Sequence, residues 1–118
     1  GPELCFYEIP QTHEGGARLA LELWKSGIRP DAFFTTDPLP ALGIQAAGKV
    51  RNRNDFELIT CHGLPDHPEI TSLRSPLADM GKAAVDMVIG ACKGDPAKVR
   101  QKIFAPELIE AKSEVFSL

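Results

Sequence analysis

Aromatic and sulfur-bearing side chains are scarce: one tryptophan, one tyrosine and two methionines in 118 residues. Three cysteines, Cys5, Cys61 and Cys92, are odd in number and widely spaced, so no disulfide framework is expected. Cys5 and Cys61 sit in apolar, strand-like runs and Cys92 at a helix end. Buried, reduced thiols in a cytoplasmic protein are the expectation. No run of about eighteen apolar residues occurs, which argues against a membrane-spanning helix. A charged start followed by an apolar stretch and a small-residue cleavage site is also missing, so no secretory signal is read.

Positive charge is not in excess. The net charge is −3, and the chain itself is not expected to bind nucleic acid, because phosphate neutralisation needs clustered Lys and Arg. The nearest basic cluster, Lys49 to Arg53, is followed closely by Asp55 and Glu57 and reads as a solvated loop. Catalytic motifs are absent too. There is no Gly-x-Ser-x-Gly elbow and no phosphate-cradling glycine loop after a strand. Gly15-Gly16 is a weak anion signal at most. His62, Asp66 and His67 share one loop, but Gly63 and Pro65 deny them the i, i+4 presentation of a helix, so no metal is expected. Neither a cofactor nor an enzymatic activity is expected.

What is present is ordinary for a soluble domain: 43% apolar and 25% charged residues. The length suits one domain with a real core. Leu4-Cys5-Phe6-Tyr7 reads as a first strand, stopped before Pro10. Thr12 or His13 opens a helix in which Ala17, Ala20, Leu21 and Trp24 recur at helical spacing, and Gly27 ends it. Ala32-Phe33-Phe34 reads as a continuous apolar strand covered on both faces. Asp37-Pro38 is a cap-and-proline helix start, and Leu39, Leu42, Ala46, Ala47 and Val50 are expected on the buried side.

Phe56 to Cys61 is the third strand and His62 to Glu69 a loop; Ile70 to Leu73 is a short extended piece. Ser75-Pro76 opens a helix by the same logic, with Leu77, Met80, Ala84, Val88 and Ala91 on one side, closed by Gly94-Asp95-Pro96. Val99 to Phe104 and Leu108-Ile109 are strand candidates. The order is that of an α/β fold, a parallel sheet with flanking helices.

In such a sheet, ligands gather outside the carboxyl ends of the strands. Two groups fall there. Asp37 ends the second predicted strand and caps the next helix, so its carboxylate can accept backbone N–H groups on one side and ligand hydroxyls on the other. His62 follows the third strand at the same edge. Trp24, on the apolar side of its helix, is expected in core or interface packing rather than ligand stacking, and Phe33 and Phe34 in the core.

The order of these motifs resembles the effector-binding domain of lac-repressor/purine-repressor-type transcription regulators. The matching stretches are Glu14-Gly15-Gly16 opening a helix, Arg29 to Asp37, Ala41-Leu42-Gly43, Phe56 to Cys61, Ile70 to Ala84, and Phe104 to Ile109. The resemblance runs from about Glu14 to Ser113. It implies a partial periplasmic-binding-protein-like (type I) domain, in which two α/β lobes hold a small effector, a sugar or a purine-like metabolite. The implied ligand-binding residues are Asp37, Thr36 and His62. The implied dimer-interface residues are Trp24 and Leu42. DNA would be bound only through an N-terminal domain outside these residues.

The chain departs from the family pattern at three places. Pro38-Leu39-Pro40 adds a residue before Ala41-Leu42-Gly43, Pro10 stands where an effector-stacking aromatic is usual, and Cys61-His62-Gly63 replaces a glycine-aromatic-aspartate run.

The resemblance further implies that residues 1–118 are one domain, the C-terminal part of the effector-binding and dimerisation domain, with most of the first lobe outside it. The sheet would then have a vacant slot between Leu4–Tyr7 and Ala32–Phe34, or rearrange. The helix after Pro76 would lack its partner, which implies a homo-oligomer, rearranged or domain-swapped. The competing readings are a fragment of a solute-binding protein of a transport system and a small α/β enzyme using Asp37 with His62.

Overall fold

The computed structural model describes residues 3–94 and 101–112. Helix α1 is His13–Lys25, strand β1 Ala32–Thr35, helix α2 Pro38–Val50, strand β2 Glu57–Cys61, strand β3 Thr71–Arg74, helix α3 Leu77–Cys92 and strand β4 Glu107–Ile109. The four strands form one sheet in the order β1-β2-β3-β4. β1, β2 and β3 run parallel, and β4 returns antiparallel beside β3. The fold is the expected α/β sheet with flanking helices.

Local chemistry sets the helix starts. Thr12 caps α1 through its hydroxyl, which accepts the Gly15 N–H at 2.9 Å. Asp37 caps α2 through Oδ1, which accepts the Leu39 N–H at 3.1 Å, and Pro38 fills the first turn. α3 differs from expectation: it starts at Leu77 with Pro76 as its cap, and no side chain completes the cap. Ser75 contributes only its carbonyl, to Leu77 N–H at 2.9 Å.

The core lies between the α1/α2 pair and one sheet face. Ala20 and Leu23 of α1, Phe33 of β1, and Ile44 and Ala47 of α2 are its buried members. Phe56 seals the rim of this cluster, edge-on to Phe33 with ring centroids 5.3 Å apart. The two helices approach unusually closely. A methyl group added at Gly43 would collide with the His13 carbonyl and the Ala17 amide, and one added at Gly16 with the Pro40 carbonyl. These contacts turn α2 so that Pro40, Ala41, Gly43, Ile44, Ala47 and Gly48 face inward. Leu39 and Val50, expected on the buried side, are exposed. Small residues that allow backbone contact outweigh larger apolar ones in setting this face.

Among the described residues, one side of the sheet is covered by helices and the other is not. Along β1 the residues alternate exposed and buried, so Phe33 is in the core while Phe34 is 59% exposed. The expectation of a strand covered on both faces is therefore corrected. Among the described residues α1 and α2 lie together on the Phe33 side, while none of the Cα atoms of α3 comes within 8 Å of another helix or strand and α3 buries no residue. The radius of gyration, 18.9 Å, exceeds the roughly 13–14 Å of a compact chain this long.

Leu4 to Tyr7 forms no strand, and Leu4, Phe6 and Tyr7 are exposed, because no strand among the described residues offers them backbone partners. The outer edge of β1 is unpaired among the described residues. Cys5 and Cys92 are exposed and Cys61 is half-buried, all three free; the expected burial fails at Cys5 and Cys92, whose segments pair with no strand and, for α3, meet no other helix or strand among the described residues. Within Val99–Phe104, residues 99 and 100 lie outside the described residues and the rest are irregular. The Leu108-Ile109 candidate is realised in β4. No described helix is long and apolar enough to cross a membrane.

Candidate functional site

Parallel pairing brings the carboxyl ends of β1, β2 and β3 to one edge. Thr35 stands opposite Thr60, and Cys61 opposite Leu73. Thr36 and Asp37 therefore leave the sheet on the same rim as His62 and Arg74.

Thr36 is exposed, and its hydroxyl meets Gln11 Oε1 at 3.4 Å. Asp37 is half-buried. One of its carboxylate oxygens is engaged by the cap of α2; no side-chain hydrogen bond is seen at the other. His62 is exposed and has a φ of 66°, the left-handed region, while its N–H bonds the Leu73 carbonyl at 2.8 Å. That conformation is uncommon outside glycine, though asparagine, aspartate and histidine adopt it more often than other residues, and it marks a sharp exit from β2. Asp37 and His62 share the rim but form no hydrogen bond with each other.

Two further residues, Gln11 and Arg74, stand at the rim beyond those expected from the sequence. Gln11 precedes the Thr12 cap, and in an α/β layer the start of a helix lies beside a strand's carboxyl end, which is the clue that points to it. Arg74 ends β3, and its stem lies over Gly63: a methyl group added at Gly63 would come within 2.9–3.0 Å of Arg74 Nε, Cδ and Cγ. Arg74 Nε is buried without a hydrogen-bond partner among the described residues.

The loop behind His62 is pinned to α2. Glu69 Oε1 accepts from Gln45 Nε2 at 3.0 Å and pairs with His67 Nδ1 at 2.9 Å. Burial pushes the Glu69 carboxyl up, but the hydrogen bonds from Gln45 and His67 outweigh it and hold the carboxyl below its ordinary value of 4.5. His67 thus sits in a clasp. Among the described residues no three of His, Cys, Asp or Glu converge as metal ligands.

Trp24 is half-buried. Its ring leans on Phe56, centroids 5.8 Å apart, and the Arg53 guanidinium lies 5.6 Å from the ring centre. Leu42 is half-buried on α2. A shallow groove runs along α1, lined by Glu14, Ala17, Arg18, Leu21, Glu22, Lys25 and Arg51. Its charged residues are mixed in sign.

The chain matches solved structures in fold. A putative LacI-family repressor from Corynebacterium glutamicum is similar with a TM-score of 0.75 and 19% identity, covering 92% of this chain and 45% of that one. A LacI-family regulator from Arthrobacter sp. FB24, in complex with lactose, is similar with a TM-score of 0.71 and 21% identity, covering 89% of this chain and 43% of that one. The dimeric lac repressor with an 11-residue C-terminal deletion is similar with a TM-score of 0.72 and 19% identity, covering 84% of this chain and 39% of that one. The chain thus spans less than half the length of these structures. No curated protein sequence matches it. The periplasmic binding protein-like domain family matches residues 3–113, nearly the whole chain. With the parallel sheet and its acid-bearing rim, that match shows that the chain belongs to the periplasmic binding protein-like domain family.

Proposed function

We propose that residues 1–118 are the C-terminal part of the effector-binding and dimerisation domain of a cytoplasmic, LacI-type transcription regulator that responds to a sugar or a purine-like metabolite. The observation that carries this is the shared rim: Thr36 and Asp37 after β1, and His62 after β2, stand at one edge of a parallel sheet. A carboxylate with one oxygen fixed by a helix cap is a rigid acceptor for ligand hydroxyls. The lactose complex of the Arthrobacter regulator supports a sugar as the ligand class. DNA is contacted through a separate N-terminal domain, and nothing on this chain is assigned to catalysis.

The dimeric lac repressor supports a homo-oligomer. Trp24 and Leu42, on the outer helix layer, are assigned to that interface. The uncovered α3 and the open edge of β1 add apolar and backbone surface that a second copy covers, as a rearranged or swapped oligomer.

A second reading is favoured by the family itself: a solute-binding protein of a transport system would use the same rim. The encoded sequence upstream separates the two, since helix-turn-helix residues favour the regulator and a secretory signal the transporter component. The site is tested by thermal-shift screening of the protein from its full reading frame against sugars and purines. A sugar or purine should raise the melting temperature, and Asp37→Asn, which keeps the helix cap, should abolish that rise. An unchanged rise removes Asp37 from the site.

A further inference from the structure

Thr35, Thr60 and Ser72 lie side by side across three strands on the face beneath the helices, and all three are buried, at 8%, 0% and 1% exposure. Ser72 Oγ has no hydrogen-bond partner among the described residues. The other two hydroxyls are 2.8 Å apart. Thr35 Oγ1 is also 2.8 Å from the Asp37 carbonyl, and Thr60 Oγ1 is 3.0 Å from the Cys61 carbonyl. These are the carbonyls of the two turns that carry Asp37 and His62 to the rim.

Each hydroxyl has one proton to donate. The pair therefore has two protons for three positions: the Asp37 carbonyl, the Cys61 carbonyl and the gap between the two oxygens. At 2.8 Å the gap needs a proton, because two oxygens facing each other with lone pairs alone repel. One rim carbonyl is then left without a hydroxyl donor. In one arrangement Thr60 donates to Thr35 and Thr35 to the Asp37 carbonyl. In the other, Thr35 donates to Thr60 and Thr60 to the Cys61 carbonyl.

From this proton count we infer that Thr35 and Thr60 are positioning residues that couple the Asp37 and His62 turns reciprocally, so that fastening one releases the other. The inference deepens the effector-site reading and rests on it for its functional meaning. A ligand that draws on Asp37 would shift the hydroxyl pair toward one arrangement and so change the set of His62. No charge moves; two buried hydroxyls rotate, and the low-dielectric setting makes each arrangement distinct.

Amide hydrogen exchange on the full chain tests the coupling without any ligand. Leu39 N–H, bonded to the Asp37 carboxylate, reports the first turn, and His62 N–H, bonded to Leu73, the second. Thr35→Val deprives the Asp37 carbonyl and leaves Thr60 free to serve Cys61. Exchange at Leu39 should rise about three- to ten-fold, as for loss of one ordinary hydrogen bond, and exchange at His62 should fall. Thr60→Val should do the opposite. Thr35→Ser and Thr60→Ser, which keep the hydroxyl, should restore the parent pattern. If both reporters rise together in either valine variant while the amides of Ala20 and Leu23 rise with them, the pair is only structural and the inference falls. If neither reporter moves, it falls as well. Either failure leaves the Asp37→Asn effector test standing, so the two readings are separable.

Discussion

Asp37 caps α2, and the proposed effector site would give the same carboxylate a second task. Its cap bond to Leu39 N–H holds the start of α2, and loss of such a cap costs about 1 kcal/mol. Asparagine keeps the cap and removes only the charge, which is why it is the informative substitution for binding. Glu69 offers a second test at this scale. Its carboxyl is held below 4.5 by Gln45 and His67, so the folded chain binds that proton less readily than the unfolded one. The resulting stabilisation is present above about pH 4.5 and is lost as the pH falls through the lowered folded value. Urea denaturation at pH 7 and pH 4 should show a drop in midpoint in acid, and Glu69→Gln should reduce that drop. An equal drop in both proteins would remove Glu69 as the titrating group.

Among the elements, α1 and α2 were legible in their starts and α2 was misread in its face. Thr12 and Asp37-Pro38 announce their helices by local chemistry alone. The inward side of α2, however, is chosen by contact with α1, and Gly43 and Gly16 carry that contact without any apolar weight of their own. A reading by hydrophobicity favours Leu39 and Val50 and so turns the helix by about one residue. Gly43→Ala should cost about 1–3 kcal/mol by overpacking at the His13 carbonyl, seen as a lower urea midpoint. Gly81→Ala, in α3 with open space around it, should instead be neutral or stabilise by up to about 1 kcal/mol. Equal effects at the two sites would mean that α1 and α2 do not pack this closely. The strand at Leu4 to Tyr7 fails for a related reason: its apolar run is sound, but a strand exists only with a partner, and none is adjacent.

At the scale of the whole molecule, the parallel sheet and the edge that carries Asp37 and His62 followed from the alternation of strand and helix signals. The reach of α3 did not, because a helix's apolar side is visible in sequence while the surface that covers it is not. Leu77, Val85, Val88 and Ile89 of α3 are all exposed. Surfaces of this kind drive association. Sedimentation velocity should show a concentration-dependent oligomer, shifted toward monomer by Val85→Lys with Val88→Lys. A monomer at all concentrations in the parent chain would contradict an oligomer built on this surface.

Calorimetric titration decides whether the Asp37 carboxylate holds the effector. A sugar or purine selected by thermal shift, titrated into the parent protein and into Asp37→Asn, should bind the parent and lose about ten-fold or more in affinity in the variant, with folding unchanged. Equal affinity in the two proteins would place the effector elsewhere and contradict the account.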